Sequence, residues 1–138
     1  MDVNTSNLRV TYYARACSDP VLPFDPQDFC AVEYKFFIEE HHNWTYIPGY
    51  IDEPDSSEDA SRICVNFERM MEDAVEGKFD LVLCNTICNF AKDIPESVRC
   101  VRQLLSHGVG VFFTEDNINS LDEDSQLRLS ILAAISQA

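Results

Sequence analysis

Basic residues are scarce in this sequence: ten Lys+Arg stand against 24 Asp+Glu, a formal net charge of −14 over 138 residues. A domain that binds nucleic acid ordinarily gathers cations that neutralise phosphates and release counterions. This balance argues against direct DNA binding unless the ten cations share one face. Glycine (4) and proline (6) are too few for a fibrous or low-complexity chain. No apolar run approaches the roughly 18 residues of a membrane span. Met1–Val10 has neither the basic start nor the apolar block of a signal peptide. The expectation is a cytoplasmic protein with no membrane association. None of the six cysteines forms a CxxC pair, and the closest two, Cys84 and Cys88, have a spacing that is weak for metal. Reduced thiols are expected on the compartment argument, with no metal and no other cofactor. His41-His42 has no partner at ligand spacing and reads as surface, and Trp44 reads as packing.

Hydrophobic residues make up 46% and charged residues 25%, which fits a single globular domain over 1–138. Such a domain buries roughly 68% of its unfolded surface, enough for a core without disulfides or a structural metal. After a polar tail over 1–7, Leu8–Ala14 alternates and predicts a strand. Phe29, Val32, Phe36 and Phe37 recur at helical spacing and predict a helix over about 25–41. Trp44–Ile51 is strand-like, and its Pro48 places it at a sheet edge or in a bulge. The loop after it is acidic: Asp52, Glu53, Asp55, Glu58 and Asp59 fall within eight residues. Ile63, Phe67, Met70, Met71 and Ala74 mark a second helix ended by Gly77. Phe79–Cys84 predicts a buried strand. Val98, Val101, Leu104 and Leu105 mark a third helix ended by Gly108. Val109–Phe113 predicts a further buried strand, followed by a short extended piece near 117–119. A last helix starts at about Asp122, with Leu127, Ile131, Leu132 and Ile135 assigned to one face. Strand and helix alternate in this way in a mostly parallel sheet covered by helices on both faces, and function then collects at the carboxyl ends of the strands.

The sequence Tyr13-Ala14-Arg15-Ala16-Cys17-Ser18-Asp19 closes the first strand. Together with Gly49-Tyr50-Ile51-Asp52-Glu53, Met70-Met71-Glu72-Asp73-Ala74, Gly77-Lys78-Phe79-Asp80 and Cys100–Leu105, it resembles the catalytic domain of the serine recombinases. The likeness is to the N-terminal resolvase/invertase domain as used by large integrases of mobile elements, and it runs from about Arg9 to Gln137. It implies an α/β, three-layer, resolvase-like fold. The sheet would have about five strands in the order 2-1-3-4-5, with a short antiparallel edge strand. Residues 122–138 would form a truncated dimerisation-type helix presenting Leu127, Ile131 and Ile135, and no DNA-binding domain is expected.

The family's chemistry is attack of a serine hydroxyl on a DNA phosphodiester, with arginines stabilising the charge that spreads over the phosphate oxygens. Carried over residue by residue, the nucleophile position holds Cys17. The arginine opening the second helix falls on Cys64, with Arg62 two residues earlier. The family's two arginines in its Arg-Phe-Ala-Arg run become Asn89 and Lys92, so that only Arg15 and Asp52 persist as matched polar residues. A cysteine nucleophile needs cations to depress its pKa, and Asp19, Asp52, Glu53 and Asp55 oppose that. The resemblance therefore implies a degenerate active site, a pseudoenzyme.

Three functions fit these features. The first is an acidic protein-binding module or inhibitor, a DNA mimic occupying a nucleic-acid-binding protein such as a defence nuclease. Its surface would include Asp52, Glu53, Asp55, Glu58, Asp59, Glu115 and Asp116. The second is a regulator that pairs with an active recombinase, or weakly with itself, through the last helix. The third is a working recombinase domain for DNA strand exchange, with Cys17 or Ser18 as nucleophile.

Overall fold

A computed structural model describes residues 7–16, 21, 23–53, 65–91 and 93–137. The described elements run β1 (Leu8–Arg15), α1 (Pro26–Glu39), β2 (Trp44–Tyr46), β3 (Tyr50–Asp52), α2 (Val65–Val75), β4 (Leu81–Cys84), α3 (Ile94–Ser106), β5 (Gly110–Phe113), β6 (Ile118–Asn119) and α4 (Glu123–Gln137). A short 3-10 turn, Ile87–Asn89, sits between β4 and α3.

The sheet order is β2-β1-β4-β5-β6, with β3 also on β1. Every pairing is parallel except that of β5 with β6. The strand expected over 44–51 is therefore two strands. β2 pairs with Leu8–Val10 and β3 with Tyr13–Arg15. Proline has no N–H for the ladder, and the chain leaves the ladder at Ile47-Pro48-Gly49. The Thr11 hydroxyl takes up the Pro48 carbonyl at 3.1 Å. This division makes six strands of the expected five, and it lies on an edge, where a proline is tolerated.

Strand alternation sorts the core into two layers. Val10, Tyr12 and Ala14 of β1 and Leu81 and Leu83 of β4 join Ile38 of α1. Tyr13, Val82, Cys84, Val111 and Phe113 face the other way, against Met70 and Ala74 of α2, Val98, Val101 and Leu104 of α3, and Leu129 of α4. One sheet face is thus covered by α1 and the other by α2, α3 and α4.

Helix ends follow local chemistry. Asp25 caps α1, accepting from the Gln27 N–H at 3.0 Å, with Pro26 in the first turn. Asp93 caps α3 through the Glu96 N–H at 2.8 Å. α2 and α3 both stop at a glycine with positive φ, Gly77 at 75° and Gly108 at 79°. After α3, the Gly108 N–H reaches Leu105 O and the Val109 N–H reaches Leu104 O, both at 2.9 Å. These two bonds form a Schellman motif, which satisfies carbonyls the helix leaves open.

Phe29, Val32 and Phe36, which signalled α1, lie on its exposed side. Cys30, Ala31, Tyr34 and Phe37 pack toward the sheet instead. His41 and Trp44 stack at 3.9 Å and 15°, so both act in packing where α1 meets β2.

Candidate functional site at the carboxyl ends of the strands

Arg15 ends β1 and stands directly opposite Asp52 at the end of β3. Asp52 is 5% exposed. Its carboxylate accepts the Tyr13 hydroxyl at 2.9 Å, the Asn66 N–H at 3.0 Å and the Phe67 N–H at 2.9 Å. The two amides belong to the first turn of α2, whose N–H groups have no partner within the helix. Asp52 therefore caps α2 from across the sheet, with a charge suited to the positive end of the helix. This corrects its place among the surface carboxylates: its oxygens are turned inward and committed. Glu53, the next residue, is exposed. Cys17, Ser18, Asp19, Asp55, Glu58, Asp59, Arg62, Cys64 and Lys92 lie outside the described residues.

The segment after β4 is held from several sides. Asp116 accepts the Ile87 N–H at 2.7 Å. The Ser97 hydroxyl donates to Ile87 O at 2.8 Å and accepts the Ala91 N–H at 3.0 Å. Asn85 Oδ1 accepts the Thr86 N–H at 2.8 Å and Asn89 Nδ2 at 3.3 Å. Phe90 is fully buried while its neighbour Asn89 is exposed. From α4, the Arg128 guanidinium donates to Asn117 O at 2.9 Å and Asp116 O at 3.0 Å. It fixes the loop after β5 and commits two of the guanidinium donors to backbone carbonyls. Asp116 is half-buried and Glu115 exposed.

Burial pushes the Cys84 thiol up to about 12, against smaller opposing effects of its hydrogen bonds and of Arg15. Burial likewise raises Cys100, to about 11, and Cys30, where Glu33 adds to the effect. These free thiols are held in the protonated form at neutral pH and are poor nucleophiles. Among the described residues, no group of three His, Cys, Asp or Glu side chains is arranged to hold a metal ion.

Between α1 and the ends of β1, β4 and β5 lies an open cavity of about 360 Å³. Its polar lining comes from Arg15, Glu33, Tyr34, Asn85, Thr114 and Glu115. Tyr34 stacks on Tyr12 at 4.7 Å with the rings 3° from parallel, and burial raises its hydroxyl above the ordinary tyrosine range. The lining holds one guanidinium and two carboxylates.

The profile of the resolvase N-terminal domain matches residues 32–138. This chain belongs to that family. The matched residues begin within α1, so β1 and the 15–19 segment precede them. In structure, the chain is similar to the N-terminal catalytic domain of TP901-1 integrase, with a TM-score of 0.70, 18% identity and 94% of each chain covered. A resolvase family site-specific recombinase from Streptococcus pneumoniae superposes with a TM-score of 0.69 at 23% identity, over 94% of this chain and 86% of that one. The C-terminal catalytic domain of ISC1926 TnpA, an IS607-like serine recombinase, gives 0.57 at 11% identity, over 94% and 99%. No curated protein sequence matches the chain significantly.

In this resolvase domain, the sheet brings together some of the residues singled out from the sequence. Arg15 and Asp52 are cross-strand neighbours, Arg15 and Glu115 line one cavity, and Asn89 bonds Asn85 on that cavity's wall. Sequence reasoning missed Tyr13 as the partner of Asp52, and Glu33 and Tyr34 as wall residues. The spacing Cys30–Tyr34–Phe37 was available as a second helical face on α1. On α4, Leu127, Ile131 and Ile135 are exposed. Leu132, expected beside them, packs with Ala133 against the core on the opposite side, because α4 buries Leu129 against α3 and β6.

Proposed function

We propose that this resolvase-family domain has left phosphoryl transfer and acts as an acidic protein-binding module, an inhibitor that mimics DNA toward a nucleic-acid-binding protein. The observation that carries this reading is the charge of the strand-end cavity, with Arg15 set against Glu33 and Glu115. A phosphodiester approaching it meets net negative charge, and its transition state, which spreads further charge over the equatorial oxygens, needs the reverse. The loss of one charge-stabilising donor raises such a barrier by roughly 2.7–4 kcal/mol. Asn89 in an arginine position and Cys17 in the serine position add to the deficit. Incubation with a pool of nicked suicide duplexes of randomised sequence is expected to leave no denaturant-resistant protein–DNA adduct. An adduct that disappears in Cys17→Ala or Ser18→Ala would overturn the reading.

The exposed face of α4 favours a second reading, regulation by pairing with a recombinase or with a second copy. Leu127, Ile131 and Ile135 repeat every four residues, so they form one aliphatic stripe. Ile131→Asp combined with Ile135→Asp is expected to abolish any association seen by light scattering. Association that persists in the double variant would exclude this face.

A further inference from the structure

α1 carries a second apolar face that the fold does not use. Phe36 is 67% exposed, Val32 65% and Phe29 51%, and Phe24 packs against Phe29 with ring centroids 5.2 Å apart and the rings tilted by 39°. Their spacing of three and four residues makes one continuous stripe. It faces away from the sheet because Cys30, Ala31, Tyr34, Phe37 and Ile38 take the inward side. Among the described residues, α1 is the helix covering its face of the sheet, and none of the other described helices lies over the stripe. A groove of about 380 Å³ runs beside it between Val32, Glu33, Phe36, Phe37 and Glu40.

The charges are ordered around this stripe. At 3.6 residues per turn, Glu33 and Glu40 fall along one edge of it, and Asp28 and Glu39 along the other. All four are exposed. Lys35 lies beyond the second edge, 5.6 Å from the centre of the Tyr46 ring. An apolar seam with carboxylates on both borders has the layout of one partner in a helix pair, in which flanking charges select the mate. A second copy of α1 would set carboxylates against carboxylates, which disfavours self-pairing. A basic mate reverses every one of those contacts.

We infer that the outer face of α1 docks an amphipathic helix of another protein, with apolar residues at helical spacing flanked on both sides by Lys or Arg. This surface shares Glu33 with the wall of the strand-end cavity but not Arg15 or Glu115, and it is separate from the aliphatic stripe of α4. It stands whether or not the strand-end cavity supports covalent chemistry.

The test titrates the full chain into a fluorescent helical peptide carrying leucines at i, i+3, i+4 and i+7 and lysines on the flanks. A matched peptide with glutamates in place of the lysines is the control. Amide NMR shifts report the location. Binding of the lysine peptide is expected to perturb α1 and to weaken about tenfold or more in Val32→Ser/Phe36→Ser. Both sites are exposed, and circular dichroism verifies that the variant remains folded. Glu33→Gln/Glu40→Gln should weaken binding and flatten its salt dependence, while Ile131→Ser on α4 should leave it unchanged. Equal binding of the glutamate peptide would overturn the inference. So would indifference to Val32→Ser/Phe36→Ser, a loss confined to Ile131→Ser, or a homodimer that Phe36→Ser dissolves.

Discussion

Asp52→Ala is expected to lower the unfolding free energy by about 3 kcal/mol, read as a shift of the urea midpoint at constant m-value. The substitution strands three donors at once: the Tyr13 hydroxyl and the N–H groups of Asn66 and Phe67. Loss of a helix cap alone costs about 0.5–2 kcal/mol, and a buried hydroxyl left without its charged partner adds about 1–3 kcal/mol. The effects overlap, because water entering the emptied space solvates part of what is exposed. Asp52→Asn keeps one acceptor oxygen but turns an N–H₂ group toward the Asn66 or the Phe67 N–H, which bond different oxygens of the carboxylate, so it should recover only part of the loss. Tyr13→Phe removes one of the three bonds and should cost less than either. A double-mutant cycle between Tyr13→Phe and Asp52→Ala isolates their coupling. An Asp52→Ala protein as stable as the parent would show that the carboxylate is not holding α2. Its persistence among the matched site residues would then need a chemical reason.

This carboxylate also marks the limit of what the sequence makes legible. β1, β4 and β5 were readable because alternation or an unbroken apolar run is a local signal, and the α/β order followed from their interleaving with helical spacings. Pro48 was readable as an edge or bulge signal, although not as a division into β2 and β3. That division depends on where Thr11 and Val10 offer hydrogen bonds, on a different strand. α1 was legible as a helix but not in its orientation. Two apolar faces share its surface, and periodicity reports that a helix exists without saying which face meets the sheet. The same holds for Leu132 on α4, which packs against the core rather than beside Leu127 and Ile131. From the sequence Asp52 is an acid in an acidic stretch and a matched site residue, but not a helix cap, since the helix it caps begins 13 residues later, at Val65, and only the fold brings the two together. The cavity wall was hidden in a similar way: Glu33 and Glu115 come from elements that meet only across the end of β1 and β4.

Phe90→Ala is expected to cost about 4 kcal/mol, whereas Asn89→Arg should change stability by no more than about 0.5 kcal/mol. The two residues are neighbours in one turn. The Phe90 ring is fully buried and meets Phe67 at 5.1 Å, Phe113 at 5.4 Å and Tyr13 at 6.2 Å, in each case nearly edge-on. It ties α2, β5 and β1 together, so alanine removes three aromatic contacts and leaves a cavity in close-packed surroundings. Asn89 is exposed and makes a hydrogen bond to Asn85 that is long at 3.3 Å, so an arginine there has room to extend into solvent. Thermal and urea unfolding of the two variants measure the contrast directly. In the resemblance to the serine recombinases, an arginine at position 89 would serve the chemistry and an apolar residue at position 90 would serve the fold. This chain has phenylalanine at 90 and asparagine at 89, the combination that the proposed non-catalytic role expects. A large stability loss from Asn89→Arg would break that argument, because asparagine would then be required by the fold itself.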